Sequence, residues 1–138
     1  MSEKIKILII DDEEIILKSC SRILKNDYEI ETASSGKEGL ELVKEKDYDI
    51  LITDLKMPDV NGLEILQKVQ MSKPEITCIM FTGFATAENM REALRRGAFD
   101  YIPKPFTNEE LEDVVRNAVK HNEGAEVKPL DLMKIAEG

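Results

Sequence analysis

Five short apolar runs alternate with five helical patterns along the chain of 138 residues. The runs are rich in isoleucine, leucine and aromatic residues, which favours buried strands, although the second run is polar enough for an edge strand. The stretches between them repeat apolar residues three or four positions apart, as amphipathic helices do. The predicted strands are residues 4–10, 28–32, 48–53, 76–81 and 99–102.

Four of the predicted helices begin after a residue whose side chain can cap the first turn. Glu38 and Glu110 stand three residues after two of these caps, so each is expected to complete a capping box. The caps are Ser35, Asn61, Thr86 and Thr107. The predicted buried faces include Ile16, Cys20, Ile23 and Leu24 in the first helix and Leu40 and Val43 in the second.

The alternation of strands and helices predicts an α/β fold, a doubly wound sheet of five parallel strands with helices on both faces. Right-handed crossovers bring the carboxyl ends of all the strands to one edge of the sheet. Ligands bind at this edge in open α/β sheets. The polar residues that close the strands are therefore the candidates for a functional site, and they are Asp11, Asp12, Asp54, Thr82 and Lys104.

Composition and charge indicate which kinds of molecule this chain can bind and where we expect it to be located. With 42% hydrophobic and 34% charged residues, the chain fits a soluble globular protein. Its net charge of −9 opposes direct binding to nucleic acids and anionic lipids. There is neither an apolar run of about 18 residues nor a signal-peptide pattern. Cys20 and Cys78 match no metal or redox spacing and are expected to be reduced core thiols, so we expect a cytoplasmic protein with no membrane contact.

The residues at the strand ends suit phosphoryl transfer. Three carboxylates at one edge repel one another unless a cation lies among them, and Mg²⁺ prefers such oxygen ligands. Lys104 adds a positive charge and Thr82 a hydroxyl donor, as expected of a site that stabilises charge on phosphoryl oxygens. Because the set contains no serine, cysteine or histidine, a carboxylate is the candidate acceptor.

Four segments at these strand ends resemble the receiver domain of two-component response regulators. The resemblance covers residues 1–121 and implies a flavodoxin-like strand order of 2-1-3-4-5. Residues 122–138 then form a C-terminal extension, either a linker or a short docking helix. The sequence of residues 82–106 is similar to that of the receivers of nitrogen-regulatory transcriptional activators. The segments are Ile9-Ile10-Asp11-Asp12-Glu13, Leu51-Ile52-Thr53-Asp54-Leu55-Lys56-Met57-Pro58, Phe81-Thr82-Gly83 and Tyr101-Ile102-Pro103-Lys104-Pro105-Phe106.

The resemblance also implies a role for each strand-end residue. Asp54 matches the phosphoacceptor. Asp12 and Asp54 match direct ligands of Mg²⁺, with the backbone carbonyl of Lys56 as a third ligand and Asp11 acting through water. The other roles fall on residues of the last two strand ends. Thr82 matches the hydroxyl that moves to the phosphoryl group, Tyr101 the ring that turns inward behind it, and Lys104 the lysine that pairs with a phosphoryl oxygen and precedes a cis bond to Pro105.

The function implied is a signalling switch rather than an enzyme, since it would catalyse only its own phosphorylation on Asp54 and a slow autodephosphorylation. The implied partners are a sensor histidine kinase or phosphotransfer protein, and an output domain or downstream protein on the face of the fourth helix, fifth strand and fifth helix. A phosphorylation-dependent homodimer is a further expectation. Two alternatives stay open. One is an interaction module that is not phosphorylated, and the other is an aspartyl-phosphate phosphohydrolase, which would want an acid where Lys56 stands.

Overall fold

The structure, a computed structural model, describes residues 4–83 and 86–133. Its five strands form one parallel sheet in the order β2-β1-β3-β4-β5, which confirms the predicted fold and strand order. The first and third strands each begin two residues later than predicted. The strands are β1 (Lys6–Ile10), β2 (Glu29–Ala33), β3 (Ile50–Asp54), β4 (Thr77–Thr82) and β5 (Asp100–Pro103).

Five helices cover both faces of this sheet. Because side chains alternate along a strand, Leu8 and Ile10 of β1 face one side while Ile7 and Ile9 face the other. The first side is covered by α2, α3 and α4, and the second by α1 and α5. The helices are α1 (Glu14–Leu24), α2 (Gly36–Glu45), α3 (Gly62–Ser72), α4 (Ala87–Arg95) and α5 (Asn108–Asn122).

All four predicted caps accept a hydrogen bond from the first turn of their helix. At α5 the capping box is complete, because Glu110 also accepts a bond from the Thr107 N–H at 2.8 Å. At α2 the reciprocal bond differs from the prediction. The Glu38 carboxylate accepts from the N–H of Ser34, one residue before the cap, at 2.8 Å. At α2, Glu38 therefore satisfies the N–H of Ser34 rather than the N–H of the cap residue Ser35.

The first helix is rotated slightly from the predicted face. Leu17, Cys20 and Leu24 are fully buried, whereas Ile16 and Ile23 are half-buried and pack at the margin of the core. In α2, Gly39 packs against Ile10 of β1, and an added Cβ would lie 2.2 Å from Ile10 Cδ1. Such close contact of helix and strand leaves no room for a side chain there.

Both cysteines are buried free thiols, as predicted. Burial raises the pKa of Cys20 and of Cys78 to about 12, so neither thiol ionises readily. Within residues 4–83 and 86–133, no helix combines the length and apolar character needed to cross a bilayer.

Candidate functional site

Three aspartates meet at the carboxyl edge of the sheet, as predicted. Asp54 is the last residue of β3, and Asp11 and Asp12 follow β1, the strand that pairs with β3. One carboxylate oxygen of each residue lies within 4.8 Å of the others. Asp11 is fully buried and Asp54 is only 7% exposed, while Asp12 is exposed. The cluster therefore has a buried floor and a side open to solvent.

Lys104, just beyond β5, brings an ammonium group into contact with this cluster. Its Nζ lies 2.7 Å from Asp11 Oδ2 and 3.3 Å from Asp54 Oδ1. The ammonium also lies 5.8 Å from the centre of the Phe81 ring, and the Lys104 N–H donates to the Thr82 carbonyl at 2.7 Å. The bond from Lys104 to Pro105 is cis, as expected. These contacts hold the side chain over the ends of β3 and β4.

The negative charges of the three carboxylates exceed the positive charge of Lys104 in this cluster. Burial raises the pKa of Asp54 to about 6; the Lys104 charge opposes this rise and the Asp11 charge adds to it. Burial also raises the pKa of Asp11, against the hydrogen bond from Lys104. For Lys104, burial acts to lower the pKa, but the bond to Asp11 and the charge of Asp54 outweigh it and the pKa is raised. One lysine does not offset three carboxylates.

The donor set fits a divalent cation of the Mg²⁺ type. Three carboxylate oxygens are hard ligands, and the exposed position of Asp12 leaves one side of the cluster accessible to water. Lys56, whose backbone carbonyl is the predicted additional ligand, lies two residues after Asp54 in the loop that follows β3, with its side chain exposed. A cation here would offset the cost of burying the charges of Asp11 and Asp54, which is the main cause of their raised pKa values, and the repulsion that the Asp11 charge adds at Asp54.

Gly62 shapes the loop that follows Asp54, a role that the sequence reasoning did not assign. Its N–H donates to the Leu55 carbonyl at 2.8 Å. A Cβ on Gly62 would lie 2.1 Å from the backbone carbonyl oxygen of Asp54. The start of α3 thus packs directly against the phosphoacceptor candidate. The Asn-Gly pair was the available signal, but it indicated only a turn.

Glu13 is a second residue that the sequence reasoning missed. Its carboxylate lies 3.2 Å from Lys104 Nζ, and its N–H donates to Asp11 Oδ1 at 2.9 Å. Because the Glu13 side chain is 56% exposed, this ion pair contributes little stability. Its place directly after two aspartates was the signal that could have suggested the contact.

Thr82 and Tyr101, the two predicted switch residues, lie in different surroundings. Thr82 ends β4, next to the carboxylate edge, and is fully buried. Tyr101 is also fully buried, but its hydroxyl donates to the carboxylate of Asp131 and accepts from the N–H of Met133 at 3.1 Å. The structure therefore brings Asp11, Asp12, Asp54 and Lys104 together and directs the Tyr101 hydroxyl toward the segment after α5.

The fold and the acidic strand-end site are those of a receiver domain. The family model for the response regulator receiver domain matches residues 7–116. The chain therefore belongs to the response regulator receiver family, as the strand-end segments predicted. Domains of this family are signalling switches of two-component systems.

Individual relatives agree with this assignment. The cell cycle response regulator CtrA of Brucella ovis is 34% identical over 120 residues, which are 86% of this chain and 52% of that protein. The chain thus spans about half the length of the curated relatives it matches. A CheY-like receiver domain from Methanospirillum hungatei superimposes with a TM-score of 0.84 at 34% identity, covering 88% of this chain and 98% of the other. A receiver domain from Clostridium thermocellum superimposes with a TM-score of 0.80 at 38% identity, covering 86% of this chain and 97% of the other.

Proposed function

We propose that this chain accepts a phosphoryl group on Asp54 and controls a partner or output domain through the change of conformation that follows. The donor is a phosphohistidine of a sensor histidine kinase or of a phosphotransfer protein. The observation that carries the proposal is the cluster itself, in which Asp54 lies among Asp11, Asp12 and the Lys104 ammonium at the carboxyl edge of the sheet.

The proposed reaction is a displacement at phosphorus. A carboxylate oxygen of Asp54 forms a bond to phosphorus, the P–N bond of the phosphohistidine breaks, and its electron pair returns to the imidazole. In the later hydrolysis, water attacks phosphorus and the P–O bond to Asp54 breaks, which releases inorganic phosphate and restores the carboxylate. Lys104 Nζ, at 3.3 Å from Asp54 Oδ1, is placed to donate a hydrogen bond to an oxygen of the incoming group.

Asp11, Asp12, Asp54 and the backbone carbonyl of Lys56 are the residues that would hold Mg²⁺, with Asp11 acting through water. When bound, Mg²⁺ neutralises charge on the phosphoryl oxygens. The chain itself contributes the nucleophile, the position of the lysine and the partial exclusion of water by the buried floor of the cluster.

The switch requires that the phosphoryl group bind one conformation better than the other. Moving a population from 1:99 to 99:1 takes about 5.5 kcal/mol of differential binding. Charge-assisted hydrogen bonds from Lys104 and Thr82, at roughly 1.5–3 kcal/mol each, reach that scale. In the proposed mechanism Thr82 moves to the phosphoryl group, Tyr101 turns inward behind it, and the face formed by α4, β5 and α5 changes shape.

That face is the proposed contact surface for the output domain or downstream protein. A phosphorylation-dependent homodimer is also proposed. It is supported by a solved structure described as a beryllofluoride-activated NtrC4 receiver domain dimer, which is 28% identical to this chain with a TM-score of 0.81. Control of transcription and a cytoplasmic location belong to the same proposal. The relatives described as cell cycle response regulators support a regulatory role.

The test is intact-mass spectrometry of the chain after incubation with acetyl phosphate, with and without Mg²⁺. We expect a single phosphoryl adduct that depends on Mg²⁺ and is lost in Asp54→Asn. Asp47→Asn is a matched control, because the Asp47 side chain is 97% exposed and lies outside the acidic cluster. Absence of the adduct in the native chain would contradict the proposal and favour an interaction module that works without phosphorylation.

A further inference from the structure

The chain after α5 folds back against β5, the edge strand of the sheet. Asn117 of α5 donates from Nδ2 to the Lys128 carbonyl at 2.6 Å. Further along, the Leu130 N–H donates to Asp100 Oδ2 at 2.8 Å. Leu132 is half-buried and packs against the core layer between the sheet and the helices α1 and α5. Residues 128–133, named the strap below, are therefore bound to the domain by backbone and side-chain contacts.

Asp100 gives the strap a buried anchor. Its side chain is fully buried at the start of β5, and its carboxylate accepts the N–H of Tyr101 at 2.9 Å from within the strand. The strap supplies the Leu130 N–H and, at 3.4 Å, the N–H of Asp131. A buried carboxylate is costly unless hydrogen bonds satisfy it, so the strap contributes donors that the strand alone does not.

Tyr101, one of the two predicted switch residues, gives the strap a second anchor. Its hydroxyl donates to the Asp131 carboxylate and accepts the Met133 N–H at 3.1 Å. Asp131 adopts a left-handed backbone conformation with φ of 51°, which aspartate tolerates better than most residues. Both hydrogen-bonding functions of the tyrosine hydroxyl are thus engaged by the strap.

We propose that the strap is an intramolecular latch on the face formed by α4, β5 and α5. In the unphosphorylated chain it holds Tyr101 by its hydroxyl, and it detaches when the Asp54 site is occupied. The proposal rests on the proposed function for the coupling to Asp54, but not for the docking of the strap. A Tyr101 side chain that turns inward loses both bonds to the strap. Because coupling is reciprocal, a docked strap then weakens binding at the Asp54 site by the same factor.

The first experiment measures amide hydrogen exchange, residue by residue, by NMR on the full chain. In the untreated chain we expect slow exchange at the N–H groups of Leu130 and Met133, since both donate to side chains of fully buried residues. Addition of beryllofluoride and Mg²⁺ is expected to make both exchange fast. This probe is chosen because receiver domains have been solved in a beryllofluoride-activated form.

The second experiment compares the apparent affinity for beryllofluoride, in Mg²⁺, of the native chain, Asp131→Ala and Glu126→Ala. Asp131→Ala removes the acceptor of the Tyr101 hydroxyl and should speed exchange at Met133. If the strap is docked about ten times out of eleven, its release tightens the apparent affinity about tenfold. Glu126→Ala removes the same charge from an exposed position just before the strap and should leave affinity and exchange unchanged.

The possible outcomes distinguish a failure of the strap proposal from a failure of the proposed function. Fast exchange at Leu130 and Met133 in the untreated chain would overturn the docking. Bound beryllofluoride with the strap still protected, or equal affinities of Asp131→Ala and the native chain, would overturn the coupling and leave the proposed function standing. No binding of beryllofluoride at Asp54 would overturn both the coupling and the proposed function.

Discussion

Replacing Asp54 by asparagine should stabilise the metal-free chain, although it removes the proposed phosphoacceptor. In the absence of a divalent cation, Asp54 is an almost fully buried carboxylate beside the buried Asp11, and the two share the charge of Lys104. Asparagine has nearly the same shape and no charge, so it relieves the repulsion and the cost of burying an ion without opening a cavity.

The pKa of Asp54 gives the size of the effect. Its rise from 3.8 to about 6 on folding corresponds to about 3 kcal/mol of lost stability above pH 6, at about 1.4 kcal/mol per unit. The amide does not reproduce every hydrogen bond of a protonated carboxyl group, so we expect the variant to gain about 1–3 kcal/mol at pH 8.

The pH dependence has a definite sign. Asp54 binds its proton more tightly in the folded chain, where its pKa is about 6, than in the unfolded chain, where it is 3.8. Protonation therefore favours folding, and the native chain gains stability from this group as the pH falls through about 6 toward 3.8. The variant lacks the group, so its advantage should be largest above pH 6 and should shrink as the pH falls.

The assay is urea unfolding followed by circular dichroism, in EDTA, at several pH values from 5 to 8. Asp12→Asn is the control within the same cluster, because Asp12 is exposed and its replacement should change stability much less. A variant at Asp54 that is no more stable than the native chain at pH 8 would refute the reasoning that burial and repulsion dominate this site. Saturating Mg²⁺ should reduce or reverse the difference, since it binds the native cluster better.

Two further predictions concern the switch and the loop beside it. Thr82→Ala should still take up a phosphoryl group from acetyl phosphate, as measured by mass spectrometry. The changes in amide hydrogen exchange that phosphorylation causes on α4, β5 and α5 should be lost in this variant, and their persistence would contradict the mechanism. Gly62→Ala should lower stability in urea unfolding by about 1–3 kcal/mol and slow phosphorylation, because the added methyl would lie 2.1 Å from the Asp54 carbonyl oxygen. The control Gly83→Ala places its methyl in open space, and an equal loss of stability there would argue against the proposed clash.

Much of the site could be predicted because it depends on topology rather than on fine packing. The alternation of strands and helices implies a parallel sheet, and in such a sheet the residues at or just beyond the carboxyl ends of β1, β3 and β5 share one edge whatever the details of the core. This is why Asp11, Asp54 and Lys104 could be brought together from positions far apart in the sequence. The four helix caps were predictable for a similar reason, since each interacts mainly with its own first turn.

The sequence by itself thus determined the elements, their order of winding and the edge where the carboxylates meet, because periodicity and capping are local signals and crossover handedness is general. Only the tertiary structure decided how deeply Asp54 is buried, how closely Gly62 approaches it and which residues hold the Tyr101 hydroxyl. These features depend on distances between segments that no local pattern encodes. The strap shows this most clearly, since the sequence predicts only a linker or a short docking helix for residues 122–138, whereas packing places residues 128–133 on Asp100 and Tyr101.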